Sequence, residues 1–433
     1  MLEDKQVRSS RRLLVVVGAL IIQICLGSIY AWTIFQTALR AGLYGWPSFW
    51  TQLPFAAGLA SFAGFMILAG RWQDRIGPRK VATLGGILLG AGYLLASLVD
   101  MVSAGNSVIG TTWLITTYGI IGGAGIGFAY VCPIAALVKW YPDKKGLITG
   151  VAVAGFGAGA LVMGYVEEFL LLFSGGLVGT PFLTLGIIYL VLVVMGSQIL
   201  VNPPTGWTPP GYKPTSDTAE AKGTDFIPSQ IIRTAAFWLL WFMFLFAATA
   251  GLMTLGNVKS AAIAIDPSAG GYLPVWIFIV PIGSLIVGIM SIFNAAGRII
   301  WGALSDRLGR VITMVTMFVF LTIGMFGFAV LSLGSFSWVV VLGIASLIGF
   351  CFGGNFALFP SSTADYFGPK NVGANYGVLF TSYGVAGVVG GLAAGLIVDF
   401  TGSYFIAFVL TGALAIIAIV FALLLYRLHR PTK

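Results

Sequence analysis

The chain has 433 residues, of which 58% are hydrophobic and only 9% charged, and its mean hydropathy is +0.98. A soluble domain cannot hide that much apolar surface, so the class is an all-α polytopic membrane protein. The net charge of +9 would suit nucleic acid as a partner, but its distribution along the chain excludes that reading.

In chain order, twelve apolar segments are predicted to span the membrane. They cover residues 13–38, 49–69, 81–101, 112–137, 146–173, 182–201, 236–258, 275–301, 311–333, 338–363, 373–398 and 404–426. The first is too long for a signal-peptide core and shows no small-residue cleavage site, so it is read as a span. With loops assigned alternately from a cytoplasmic N-terminus, 20 of the 23 Lys and Arg residues fall on one side. Arg40 and Lys259 fall outside and Arg298 lies within. This is the positive-inside bias of an inner (plasma) membrane protein with both termini cytoplasmic. Residues 202–234 are polar and proline-rich, and they read as a cytoplasmic linker between an N-terminal half (1–201) and a C-terminal half (235–433), six spans each.

Cys25, Cys132 and Cys351 all sit in apolar spans, which implies no disulfide framework. The single histidine, His429, belongs to the basic tail, so histidine relays and histidine metal sites inside the membrane are excluded. No cofactor is expected. The glycine-rich stretches 155–159 and 384–395 lack the lysine and hydroxyl of a nucleotide loop and read as close helix packing.

The stretch 70–80 contains Gly70, Asp74, Arg75 and Gly77, and 302–310 repeats the pattern with Gly302, Asp306, Arg307 and Gly309. A second pair of related loops, 141–146 and 366–371, follows the fourth and tenth spans. Duplication of one six-span unit accounts for both. The doubled G-x-x-x-D-R-x-G pattern resembles the cytoplasmic signature of the major facilitator superfamily. That resemblance implies two six-helix bundles around a central site, moving by alternating access. It also implies a conformational role for Asp74, Arg75, Asp306 and Arg307, whose aspartates can cap helices and pair with basic residues across a moving interface.

Within the eighth segment Arg298 is the single charge, eight residues inside Asp306, or ~12 Å along a helix. A snorkelling side chain would account for it. Ser284, Ser291 and Asn294 precede it by fourteen, seven and four residues, however, placing all four on one helical face. A polar stripe leading to a buried arginine points to an anion site.

Further stretches narrow the resemblance. Phe293 to Gly302, Trp140 to Gly146, Arg233-Thr234 with Phe237-Trp238, and Ala357 to Ser361 are similar to the oxalate/formate antiporter and monocarboxylate transporter branch. There the eighth-helix arginine binds the substrate carboxylate, which by motif match is Arg298. A planar guanidinium suits a carboxylate because it can donate two parallel hydrogen bonds. The resemblance also implies that Tyr30, Tyr130, Phe380 and Tyr383 line the cavity, with Trp32 nearby. Phe352 and Phe356 share one face, although all these aromatics would otherwise read as helix packing.

Two departures matter. The antiporter has a lysine where this chain has Tyr383, and animal monocarboxylate transporters have an aspartate where it has Asn294. Their first-helix lysine is also missing, which leaves Arg298 as the expected single fixed charge at the site, with Glu167 and Glu168 assigned to the outward end of the fifth span. The leading expectation is proton symport of a small carboxylate anion such as lactate, by a monomer in the lipid bilayer. Oxalate/formate-type exchange is the alternative. A carboxylate sensor would need a signalling domain that these short tails do not offer, and no nucleophile–base pair or nucleotide motif argues for an enzyme.

Overall fold

The computed structural model describes residues 2–40, 43–204, 207, 209, 225–275, 278–401 and 403–428. His429 and most of the expected linker, including residues 210–224, lie outside them. Almost all of the described chain is helical. Helix is the conformation that satisfies every backbone polar group within one lipid-crossing segment. Helix α1 (Leu2–Leu26) passes through a 3-10 turn (Gly27–Ala31) into α2 (Trp32–Arg40). Next come α3 (Ser48–Ile76), α4 (Pro78–Ala96), α5 (Val99–Ser103) and α6 (Ser107–Leu114). A π-helical segment (Ile115–Gly122) joins α6 to α7 (Gly123–Trp140), before α8 (Lys145–Phe173) and α9 (Gly179–Ile199).

Beyond residue 225, a short α10 (Pro228–Ile231) precedes α11 (Ala235–Ile265), which Thr234 caps by accepting the Phe237 N–H at 3.2 Å. Then follow α12 (Ile282–Leu308), α13 (Arg310–Leu331), α14 (Trp338–Phe367), α15 (Val372–Leu379), α16 (Thr381–Thr401) and α17 (Phe405–Leu428). Gly77, at φ 87°, turns the chain from α3 into α4, and Gly309, at φ 85°, does the same between α12 and α13. These are the last glycines of the duplicated pattern, and a side chain would be strained at either.

Eleven helical stretches among the described residues are long and apolar enough to cross a membrane. The third predicted span corresponds to α4, which carries Arg79 and Lys80 in its first turn and packs between α7 and α9. Counted with the others it completes the twelve.

Two of the boundaries that differ from the sequence reading bear on the site. The run 275–301 does not form one helix, because β1 (Tyr272–Val275) and β2 (Phe278–Pro281) pair antiparallel and α12 starts only at Ile282. Pro281 lacks an N–H, and the residues before it are β-branched and aromatic, so an extended approach is locally favoured. Lys259 does not fall in an outer loop either, since α11 continues past it to Ile265. Beyond that end, Asp266 accepts from Ser268 and from the Trp338 N–H at 2.7 Å. These donors hold its carboxyl below the usual carboxylate range.

In the first set of helices α1 packs on α8, and α7 and α9 flank α4. In the second, α11 packs on α16 and α17, while α12 and α13 pack on α14. The two sets meet where α8 lies on α12 and α14, and where α3 lies on α15 and α16. Ile187, Val191, Ile323, Val420 and Leu424 remain exposed on the periphery, where lipid would cover them.

Candidate functional site between the two helix sets

Arg298 sits on α12 where that helix crosses α8, and it is 0% exposed. The close crossing depends on glycine: a Cβ on Gly150 would lie 2.1 Å from the Arg298 carbonyl oxygen. The Arg298 Nε donates to Asn294 Oδ1 at 2.9 Å, and Nη1 donates to the Val153 carbonyl of α8 at 2.8 Å. Nη2 is buried with no partner. The guanidinium carbon lies 4.2 Å from the Phe356 ring centroid and 5.5 Å from that of Phe156. Cation–π contact in a desolvated site is worth about 2 kcal/mol, well short of what a buried ion loses on leaving water. No carboxylate pairs with Arg298 among the described residues. The result is a buried cation with donors to spare, which an anion would compensate.

The predicted aromatic residues come together around it. Tyr30, at the 3-10 break of the first span, meets Phe156 edge-on at 5.1 Å, and its hydroxyl contacts that of Tyr383 from the other helix set. Tyr130 packs on Phe156 at 5.2 Å and on Phe380 at 5.5 Å. Phe352 and Phe356 pack edge-on at 5.2 Å, and Tyr383 joins Phe356 at 5.4 Å and Phe380 at 4.7 Å. Phe380 marks the break between α15 and α16, so two of these aromatics ride on interrupted helices. The hydroxyls of Tyr130 and Tyr376 are buried without a hydrogen bond, and Tyr30 and Tyr130 lie within electrostatic reach of Arg298. Trp32 packs instead on Tyr118, its ring tilted against it at 4.5 Å.

A cavity of ≈ 470 Å³ lies directly above, open at the end opposite the duplicated loops. Tyr30 and Ser291 line its inner part, and Ser284, Lys259 and Glu168 line it further out. The Lys259 Nζ approaches Ser284 Oγ at 3.4 Å. The polar stripe of α12 is therefore divided, with Ser284 and Ser291 facing the cavity and Asn294 and Arg298 lying beneath the Tyr30–Tyr383 contact. Arg298 is outside this lining, and the fixed charges that face the cavity are Lys259 and Glu168. Lys259 joins the approach because α11 runs past residue 258, where its apolar span is expected to end, and Glu168 lies at the outward end of α8, where the sequence places it.

At the other end the duplicated loops interlock. Asp306 accepts from the Gly146 and Leu147 N–H groups at 2.9 and 2.8 Å, which begins α8. Asp74 accepts from the Ala374 N–H at 2.8 Å, at the start of α15, and pairs with Lys139 at 3.1 Å. The glycines follow the same pattern: a Cβ on Gly302 would lie 2.2 Å from the Gly146 oxygen, and one on Gly70 would lie 2.1 Å from that of Gly373. Arg310 and Lys145 both reach Asp365. Arg75 and Arg307 are exposed, with no ion-pair partner among the described residues.

A family model described as Major Facilitator Superfamily matches residues 12–288 and 280–433. The chain belongs to the major facilitator superfamily. Among relatives of this facilitator, the uncharacterized MFS-type transporter YhjX of Escherichia coli is 31% identical over 87% of this chain and 86% of its own. The oxalate:formate antiporter of Oxalobacter formigenes is 29% identical over 96% of this chain and 92% of its own. Monocarboxylate transporter 12-B of Danio rerio is 25% identical over 78% and 71%. Among solved structures, the proton:xylose symporter XylE gives a TM-score of 0.66 at 14% identity, covering 98% of this chain and 97% of that one. The facilitator is thus a multi-pass membrane protein of a transporter family, with twelve spans in two six-helix halves.

Some parts of the facilitator's site went unread in the sequence. Phe62 packs on Tyr130 at 5.1 Å and on Phe380 at 4.9 Å, and Phe244 stacks on Phe359 at 4.4 Å. Phe244 stands in a uniformly apolar run, and the one polar neighbour of Phe62, Ser61, turns to the Ile120 carbonyl instead. The Val153 carbonyl carries no side-chain signal at all. Gly150 and Gly157 are the legible trace of this wall, since α8 can approach Arg298 so closely only where side chains are absent.

Proposed function

We propose that this facilitator is a secondary active transporter of small monocarboxylates, lactate-like in size, working by proton symport and alternating access. The observation that carries the reading is the unpartnered Nη2 of a fully buried Arg298, enclosed by aromatic rings between the two halves. Both Nη2 hydrogens and the second on Nη1 are available, which is the donor set for an end-on carboxylate. The rings offer apolar surface to a short alkyl or hydroxyalkyl tail. Tyr383 donates from a neutral hydroxyl and supplies no second positive charge within the cage. A dianion there would keep one charge unpaired, at a cost of several kcal/mol. The reading further places 1–201 and 235–433 as the moving halves and 202–234 as their cytoplasmic linker, in a monomer of the inner (plasma) membrane. Asp74 and Asp306 would set the rate of switching.

Exchange of the oxalate/formate type is the second reading. It is favoured by the similarity to that antiporter and by Lys259, a second cation in the cavity leading to the site. Competition of labelled lactate uptake in proteoliposomes by lactate, pyruvate, formate and oxalate separates the two. Monocarboxylates are expected to compete at least about 100-fold better than oxalate, the ratio that roughly 3 kcal/mol provides. Tyr383→Lys is expected to shift the preference towards oxalate. Wild-type preference for oxalate over every monocarboxylate would overturn the symport reading.

A further inference from the structure

Glu167 lies on α8 near the open end of the cavity, fully buried, with neither carboxylate oxygen accepting a hydrogen bond. The next residue, Glu168, lines the cavity, so the two acids stand on different faces of one helix. No cation among the described residues reaches Glu167. Of the charges at this end, Lys259 and Glu168 line the cavity, Arg40 is exposed, and Asp100 is held by the Tyr44 hydroxyl and the Gly179 N–H. Its titratable neighbours are Tyr93 of α4, Tyr118 of the π segment and Tyr189 of α9, the last also near Cys25 of α1. An ionised carboxylate cannot be kept in such surroundings without a donor or a counter-charge, so the packed conformer requires the neutral acid.

The walls of this pocket are irregular in two places. Ser28 belongs to the 3-10 turn Gly27–Ala31, and its hydroxyl lies 3.3 Å from that of Tyr93. Tyr118 belongs to the π segment and packs on Tyr93 at 5.4 Å. Breaks of this kind inside helices recur at functional sites because their backbone can change register at little cost. Two residues after Ser28, the same 3-10 turn presents Tyr30 to Tyr383 and the Arg298 cage. One short segment therefore reaches the anion site through Tyr30 and, by way of Ser28 and Tyr93, the surroundings of the buried acid.

Resting on the symport reading above, we infer that Glu167 is the proton-binding site of the transport cycle, coupled to the anion through the Gly27–Ala31 turn. In the closed packing its carboxyl carries one proton. When the turn moves with Tyr30, water or a donor reaches the carboxyl and the proton leaves; no other bond is made or broken. Glu167 lies fourteen residues along α8 from Val153, about 21 Å of helix, so the link is mechanical rather than a direct ion pair.

The test uses the full-length protein in proteoliposomes with labelled L-lactate. One proton per anion lets a gradient of one pH unit sustain roughly tenfold accumulation in wild type. Glu167→Gln fixes the neutral form. It is expected to lose that accumulation, falling to an inside-to-outside ratio near one, while still exchanging internal for external lactate, which also reports that it has folded. Tenfold accumulation by Glu167→Gln would overturn the assignment and leave the symport reading standing. Exchange without accumulation in wild type would instead overturn the symport reading, and this inference with it. If Glu167→Gln does not fold, Glu167→Asp decides. It keeps an acid on a shorter stem and is expected to accumulate lactate with its pH profile displaced by about half a unit or more, whereas an unchanged profile would count against Glu167.

Discussion

At the residue scale, Arg298 carries the largest stake. Its neighbours already take two of its donors, through Asn294 and the Val153 carbonyl. A carboxylate would take the rest through charge-assisted hydrogen bonds worth about 1.5–3 kcal/mol each. Arg298→Ala is expected to lower lactate uptake more than about 100-fold. Arg298→Lys is expected to recover little, because an ammonium is a point charge on a shorter reach and cannot keep Asn294, Val153 and the anion together. Initial uptake rates in proteoliposomes, with thermal stability measured in parallel, check this. Uptake close to wild type in the alanine variant would remove Arg298 from the site.

At the element scale, the two duplicated loops act as helix-terminus locks. Asp306 caps the start of α8 from the second half, and Asp74 caps α15 from the first. A carboxylate at a helix N-terminus gains from both the free N–H groups and the helix dipole, by about 0.3–1 kcal/mol where exposed and more where half-buried. Asp74→Asn and Asp306→Asn are expected to lower turnover several-fold with little change in lactate affinity. Gly302→Ala is expected to act more strongly, since its methyl would meet the Gly146 carbonyl at 2.2 Å. Overpacking of that kind costs about 1–3 kcal/mol, enough to slow closure of this end roughly tenfold or more. Turnover from counterflow and affinity from competition separate the two effects. A loss of affinity at unchanged turnover would place these residues in recognition instead.

At the scale of the whole molecule, the structure is open at one end and sealed at the other. Cys25, Cys132 and Cys351 are all buried, so introduced thiols can report accessibility against a quiet background. Ser284→Cys and Ser291→Cys, on the cavity wall, are expected to react with a membrane-impermeant thiol reagent added outside. Ser305→Cys, 2% exposed beneath the interlocked loops, is expected to stay unlabelled. Rapid labelling of Ser305→Cys by the same reagent added from the loop side, with Ser284→Cys protected from outside, would show the opposite conformer to predominate in the membrane.

Class, span count, duplication and the identity of the buried arginine are all legible along the chain, because each rests on local composition, on spacing within one helix or on a motif repeated at a fixed offset. The polar stripe from Ser284 to Arg298 is of that kind, since a single helix fixes which side chains share a face. Which second helix supplies the other wall is not. Phe62, Phe244 and the Val153 carbonyl meet the site only through crossings of helices far apart in sequence. Lys259 enters the cavity because α11 outlasts its apolar run, and Glu167 parts from Glu168 because one helical step carries it to a different face. Neighbouring residues in an apolar span share one hydropathy signal, but tertiary packing decides which of them meets water, lipid, an anion or nothing at all.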